Sequence, residues 1–179
     1  MVRFLFLAGA LFVAACSSSD TAQSVASGWN LQDVNVRFGP NIERTADGNT
    51  FSENFVWNGL NGGNRKRQVI ALFKNAMREV GNDTMVGPRP VTMDVQVNYF
   101  HALTDYSRLW CCGVHRIKAD LTVKDASSGE VLVSGQDVSL GRLALGGVPG
   151  LVANTFGRDQ YVRIKEGIAK RTRAWLNGG

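Results

Sequence analysis

Apolar and polar residues alternate along several stretches of the chain, a pattern that is typical of strands with one buried face. The first stretch covers residues 34–38 and is stopped by Gly39 and Pro40. The later stretches, which predict an antiparallel meander, are residues 91–101, 114–124 and 131–140. In residues 91–101 the parity of the apolar positions includes Tyr99 and His101, so both are expected on the buried face.

Two segments instead repeat apolar residues at steps of three and four, which predicts amphipathic helices. The first covers residues 65–80, with Asn64 or Asn61 as its cap and Gly81 and Asn82 as its stop. The second covers residues 158–176. Its inward positions are expected to be Tyr161, Ile164, Ile168 and Trp175. The order of elements predicts an α+β fold, a mostly antiparallel sheet with two helices packed on one face as a two-layer sandwich.

Two connections are long. Residues 41–64 are rich in polar residues and glycine and are expected to hold at most one short strand. Residues 141–157 are apolar but interrupted by glycine and proline, which predicts a mobile apolar loop. An exposed apolar patch is unusual for a monomer, so this loop is the predicted contact surface for a protein partner. The residues expected to form it are Leu143, Leu145, Val148, Leu151 and Phe156.

The N-terminus carries an export signal. Arg3 precedes an apolar stretch, residues 4–15, that falls short of the roughly 20 residues needed to span a membrane. Small residues then lead directly to Cys16, an ending that resembles the lipobox of bacterial lipoproteins. The resemblance implies that residues 1–15 are removed and that Cys16 receives a diacylglycerol and further fatty acid such as palmitate. An ordinary signal peptide cleaved near Ala15 is the alternative.

The remaining chain divides into a tether and a domain. Residues 16–28 comprise the lipidated cysteine and a serine-rich, flexible segment that spans roughly 20 Å. Residues 29–179 have the size of one periplasm-facing domain. Ser17 replaces the aspartate that resembles an inner-membrane retention signal, which implies delivery to the outer membrane, with the inner membrane as the alternative.

Charge narrows the choice of partner. The formal net charge of +5 includes Arg3, and the other cations are spread along the chain. Together with the export signal, this argues against nucleic-acid binding. Weak attraction to anionic lipid or to lipopolysaccharide phosphate fits better, and a solvated basic surface is the plainer interpretation.

Several stretches resemble a family of uncharacterised alphaproteobacterial lipoproteins, a domain of unknown function. The stretches that carry the resemblance are residues 56–59, 63–65, 68–69, 100–104 and 113–117. They cover most of the mature chain and imply a lipoprotein and a fold but no reaction. Cys111 and Cys112 precede Gly113 where the family pattern has glycine, which leaves any family-wide role for them in doubt. More broadly, the element order is similar to auxiliary lipoproteins of lipid and toxin exporters.

His101 and His115 are the only histidines, and each is expected on the apolar face of its strand. With Cys111 and Cys112 nearby they are weak candidates for a zinc or copper site. Adjacent cysteines on a strand point to opposite faces, so no metal is predicted and buried structural histidines are the default. The two cysteines could be free thiols, a strained vicinal disulfide or a link to another chain.

No catalytic motif or convincing carboxylate pair is present, so the chain is predicted not to be an enzyme and to need no cofactor beyond the lipid. The acidic residues considered lie in predicted loops or on the solvent face and are Glu43, Asp47, Glu53, Asp94, Asp105 and Asp120. The leading hypothesis is a non-enzymatic envelope component that binds another envelope protein. The alternative is a lipid- or small-ligand-binding module, such as an auxiliary lipoprotein of an envelope transport system, with an interior lined by Phe73, Met77 and Tyr99. A hydrolase ranks third.

Overall fold

The computed structural model describes residues 26–43, 54–57, 63–102, 113–144 and 160–178. We number the helices and strands in chain order. The elements are β1 (Trp29–Phe38), α1 (Pro40–Glu43), β2 (Phe55–Val56), α2 (Arg65–Thr84), β3 (Arg89–His101), β4 (Gly113–Asp125), β5 (Val131–Ser139), β6 (Arg142–Ala144) and α3 (Gln160–Leu176).

The strands form one sheet in the order β1-β3-β4-β5. Strands β3, β4 and β5 make the predicted antiparallel meander. Strand β1 pairs with β3 in parallel, and α2 is the crossover that joins them, as parallel neighbours require. The short strands β2 and β6 extend β3 and β4 at one end of the sheet. The predicted α+β fold with a mostly antiparallel sheet is confirmed, and the parallel β1–β3 pair is a feature that the alternation did not reveal.

Each long helix carries one apolar stripe, and both helices pack with that stripe against the same face of the sheet. The stripe of α2 is Val69, Leu72, Phe73, Ala76, Met77 and Val80, all fully buried. In α3, Ile164 and Ile168 are buried, while Tyr161 and Trp175 pack at the margin of the core. The ring centroids of Phe55, Trp57 and Phe73 lie 6.2, 5.9 and 6.2 Å from that of Phe100, so an aromatic cluster fastens β2 and α2 to β3.

The start of α2 matches its prediction, and its end does not. The Asn64 side chain caps the helix by accepting a hydrogen bond from the backbone N of Arg67 at 3.0 Å. The helix continues through Gly81 to Thr84 instead of stopping at Gly81. A Cβ at Gly81 would lie 2.5 Å from Leu31 Cδ2, so the glycine is needed for close approach of α2 to β1 and not as a stop signal.

The prediction that Tyr99 and His101 lie on the buried face is wrong. The β3–β4 register shifts between Val97 and Tyr99, which marks a β-bulge at Asn98. One extra residue reverses the parity of everything after it, so that Phe100 is buried and its neighbours turn to the other face.

The predicted apolar loop begins later than expected. Residues 142–144 form β6, paired with the start of β4, because the chain continues the sheet before leaving it. Of the predicted contact residues, the backbone of Leu143 lies in β6, and Leu145, Val148, Leu151 and Phe156 lie outside the described residues. At the other boundary, Ala26 is already buried, so the last residues of the predicted tether pack on the domain.

The sheet has two distinct ends. Trp29 pairs with Arg89 and Val91 with Asp125 at one end, which we call the tether end because residues 26–28 enter there. The other end carries the ends of β1 and β3, the start of β4 and the short strands β2 and β6. We call it the loop end.

The two long helices run parallel to each other from the loop end to the tether end. Asn75 bonds to Tyr161, Glu79 to Lys165 and Asp83 to Arg173, so the pairs follow the same order along both helices. Among the described residues, no helix has the length and apolar character needed to cross a membrane.

Candidate functional site

The face of the sheet opposite the helices, which we call the open face, is mainly polar. It presents the side chains that alternate with the buried ones. These are Asn35 and Arg37 from β1, Thr92, Asp94, Gln96 and Asn98 from β3, and Lys118, Asp120, Thr122 and Lys124 from β4.

Two β-bulges flank Asp120 on the central strand β4. On one side is the bulge at Asn98 in β3. On the other side, Ala119 pairs with Val138 and Leu121 with Gly135, so two residues of β5 oppose Asp120 alone. Asp137 lies in this second bulge with a φ of +48°, a backbone conformation that aspartate tolerates better than most residues. Bulges re-aim side chains, and here they turn polar groups toward Asp120 from both neighbouring strands.

The groups around Asp120 form one hydrogen-bonded cluster, which we call the Asp120 network (Asp120, Gln96, Asn98 and Asp137). Asp120 Oδ1 accepts from Asn98 Nδ2 and from the backbone N of Asp137, both at 2.8 Å. Asp120 Oδ2 accepts from Gln96 Nε2 at 3.2 Å. Asn98 Nδ2 also donates to Asp137 Oδ1, and its own Oδ1 accepts from Gln96 Nε2, both at 3.1 Å. These contacts hold the side-chain amides of Gln96 and Asn98 in fixed orientations.

Asp94 forms a second anchored carboxylate on the same face. Its oxygens accept from Lys124 Nζ at 2.7 Å and from Asn35 Nδ2 at 3.1 Å. Partial burial raises the pKa of Asp94, but the hydrogen bonds from Lys124 and Asn35 outweigh this and leave that pKa below its usual value. Asp94 is therefore ionised at neutral pH.

Two shallow clefts open on this face, and Gln96 lines both. The larger, which we call the Lys118 cleft, has a volume of about 450 Å³ and lies toward the loop end. Its lining is Gly39, Pro40, Asn41, Asn54, Gln96, Asn98, Tyr99, Lys118 and Asp137. The smaller, about 390 Å³, lies beside Asp94 and Arg37.

The two histidines do not share a site. His101 pairs with Arg116, so His115 is its near neighbour in register but points to the opposite face. His115 is buried as predicted, whereas His101 is half-buried on the open face, where its ring stacks on Tyr99 at 6.2 Å. Within the described ranges, no three His, Cys, Asp or Glu side chains come together as a metal site. Cys111 and Cys112 lie outside those ranges.

The predicted ligand-binding interior does not form in the expected way. Phe73 and Met77 are fully buried in the packed core, and Tyr99 lies on the other side of the sheet. These three side chains therefore cannot line one cavity.

Of the acidic residues considered, Asp94 and Asp120 lie on the open face as expected, and Glu43 ends α1 rather than lying in a loop. Asp47, Glu53 and Asp105 lie outside the described residues. The sequence alone did not single out Gln96, Asn98 and Asp137. The available signal was the break in alternation, since Asn98 and Tyr99 stand between the buried Val97 and Phe100.

Comparison with known proteins places this architecture in a family. A model of a family of unknown function, DUF6778, matches residues 29–179. The chain belongs to this family. The match begins where β1 begins and covers every described strand and helix of the DUF6778 domain.

Solved structures that resemble the DUF6778 domain are distant. One is a protein of Caulobacter crescentus CB15 described as a "putative lipoprotein", with 14% identity, a TM-score of 0.38, and coverage of 60% of this chain and 80% of that one. Another is protein XCC0632 of Xanthomonas campestris, of the DUF330 family, with 11% identity, a TM-score of 0.43, and coverage of 86% and 84%. No curated protein matches the chain.

Proposed function

We propose that the protein is a lipid-anchored, periplasm-facing lipoprotein of the outer membrane that acts without catalysis and binds another envelope protein. The observation that carries this proposal is the separation of the two ends of the domain. The tether enters at Trp29, and the segment that contains Leu145, Val148 and Leu151 connects at Ala144, at the loop end. The anchor and the apolar segment are thus attached at opposite ends of the sheet.

The proposal of a lipid anchor rests on Cys16 and on the residues on either side of it. Two or three acyl chains on one residue, each buried methylene contributing about 0.8 kcal/mol, hold a protein on a bilayer for long periods. The tether adds roughly 20 Å of reach. Strand β1 has ten residues, so the loop end lies about 30 Å beyond the tether end. A partner in the periplasmic space, or in the opposite membrane, is better placed to meet the loop end than the tether end.

Protein binding is favoured over an interior ligand because the apolar side chains of the described sheet and helices pack against one another as one core. Val69, Leu72, Phe73 and Met77 of α2 are all fully buried against the sheet. Binding groups for a partner are then expected on surfaces and loops rather than between the layers.

The test is affinity purification of the full-length protein after mild crosslinking in cells. The variant Leu145→Ser, Val148→Ser, Leu151→Ser is compared with a control, Val86→Ser, Val131→Ser, that changes two exposed valines at the tether end. We expect a defined envelope protein to co-purify with the wild type and the control, and to be lost from the loop variant. Equal recovery from both variants, or no protein partner at all, would refute the proposal.

The anchor is tested separately. Replacement Cys16→Ser is expected to abolish the lipid mass on the mature N-terminus and to move the protein out of the membrane fraction. If the wild-type protein carries no lipid and its mature N-terminus is not Cys16, the lipid anchor is refuted. The partner test can still be interpreted in that case, because it is read out separately.

A further inference from the structure

We infer that the Lys118 cleft binds a saccharide, a role that the partner-binding proposal neither requires nor supplies. The cleft lies on the open face and is built by β3, β4, β5, the turn into α1 and Asn54 before β2, and most of its lining residues are polar. Its volume of about 450 Å³ falls within the range of roughly 300–1,000 Å³ that small-molecule sites occupy.

The chemistry of the lining matches a polyhydroxylated ring. Side-chain amides donate and accept at once, as sugar hydroxyls do, and Asn41 and Asn54 place two such amides in the lining. The amides of Gln96 and Asn98 donate both of their N–H groups within the Asp120 network, so only their oxygens can accept from a ligand. Tyr99 adds an aromatic surface with a polar tip, which suits the apolar C–H face of a sugar beside its hydroxyls.

The charges in the lining argue against other ligand classes. Lys118 and Asp137 oppose each other in sign, so the cleft favours a neutral or weakly charged ligand over a simple anion or cation. Pro40 and the Tyr99 ring supply apolar surface that suits the C–H face of a sugar ring better than the length of an acyl chain, because the apolar side chains of the sheet face the helices.

The floor of the cleft is held in place before any ligand arrives. Gln96 and Asn98 are fixed by the Asp120 network, so their amides lose little freedom on binding. The walls of the cleft, in contrast, carry polar side chains that can hydrogen-bond to a ligand. No hydrogen bond or ion pair joins the side chain of Asn41, Asn54 or Lys118 to any other residue in the described part of the chain.

Gly39 completes the cleft by making room for its floor. A Cβ at this position would lie 2.7 Å from Asn98 Oδ1. A larger residue at position 39 would therefore displace the Asn98 amide from its place in the Asp120 network. The close approach of Gly39 to Asn98 brings Pro40 and Asn41 over the cleft.

The test uses the full-length, lipidated protein in detergent micelles, titrated calorimetrically with two probes. One is a set of soluble glycan fragments from muramidase-digested peptidoglycan, and the other is delipidated core oligosaccharide of lipopolysaccharide. We expect saturable binding of at least one probe. The probe that binds identifies the source of the saccharide, and binding of both supports recognition of the shared ring chemistry.

The variant Asn41→Ala, Lys118→Ala removes two exposed wall side chains and is expected to weaken binding about ten-fold or more. The matched control Asn82→Ala, Lys170→Ala changes the same residue types on exposed positions of the helices and should bind as the wild type does. Absence of saturable binding for both probes, or equal affinity of the two variants, would overturn the inference.

Discussion

At the scale of single residues, the clearest electrostatic device lies at the tether end. Asp125 Oδ1 accepts from the backbone N of Ser127 at 2.9 Å and of Ser128 at 3.0 Å, and Oδ2 accepts from Arg89 Nε at 2.8 Å. The Ser128 backbone N–H, the Arg89 guanidinium and the Ser127 N–H hold the pKa of Asp125 well below its usual range. The charged carboxylate thus stabilises the turn between β4 and β5.

This shift predicts a pH-dependent loss of stability. A folded-state pKa below the unfolded value of about 4 stabilises the protein above that pH, and the contribution disappears as pH falls toward the folded value. Asp125→Asn is therefore expected to unfold at a lower urea concentration than wild type at pH 7, with the difference shrinking below about pH 4. The control Asp33→Asn removes an exposed carboxylate with the same change of charge. A difference independent of pH would contradict the assignment.

The bulge at Asn98 predicts different reactivity for the two histidines. His101 is half-buried on the open face, whereas His115 is only 2% exposed in the core. Diethyl pyrocarbonate should modify His101 in the folded protein and reach His115 only after unfolding, as read by peptide mass spectrometry. Protection of both histidines in the native state would mean that β3 has no reversal of parity.

At the scale of elements, Gly81 decides how α2 lies on β1. Gly81→Ala should lower the free energy of unfolding by about 1–3 kcal/mol, because the new methyl group meets Leu31 Cδ2 and Cβ at 2.5 and 2.9 Å. The higher helix propensity of alanine, worth up to about 1 kcal/mol, opposes this loss. Asn82→Ala, next along the helix and exposed, gains from the propensity without the clash and should be at least as stable as wild type. Urea unfolding followed by circular dichroism measures both, and a stabilised Gly81→Ala would disprove the contact.

The elements also show where sequence patterns are informative. Alternation and three-to-four spacing predicted β3, β4, β5 and both long helices, because each buries one face of a regular element. The patterns failed where tertiary contact overrides local preference. Gly81 looked like a helix stop but serves close packing, and Asn98 adds one residue whose only trace in the sequence is the break in alternation before Phe100.

The candidate site was harder to predict for the same reason. Polar residues on the open face, such as Gln96 and Lys118, look like an ordinary solvated face when only the alternation is known. Their convergence depends on the bulges in β3 and β5, which appear only once the strands are in register. The sequence could exclude familiar catalytic motifs, but it could not bring Asn98 and Asp137 together.

At the scale of the whole molecule, the two ends of the sheet predict an orientation on the membrane. Ser128 lies at the tether end and Arg116 near the loop end, and both are exposed on or next to β4. A photoreactive amino acid at position 128 should crosslink to lipid more than one at position 116 in the membrane-bound protein. Equal yields of lipid crosslinks from positions 128 and 116 would show that the tether lets the domain reorient freely on the membrane.

The parallel pairing of β1 with β3 has a mechanical consequence. If the anchor holds the start of β1 while a partner pulls at the loop end, the force runs along β1 and the pair is loaded in shear. The slanted hydrogen bonds of the parallel ladder, which runs from Trp29 to Phe38 with one irregularity between Leu31 and Asp33, then resist together instead of opening one after another. The strand that receives the tether is thus joined to the domain in the geometry best able to bear tension between membrane and partner.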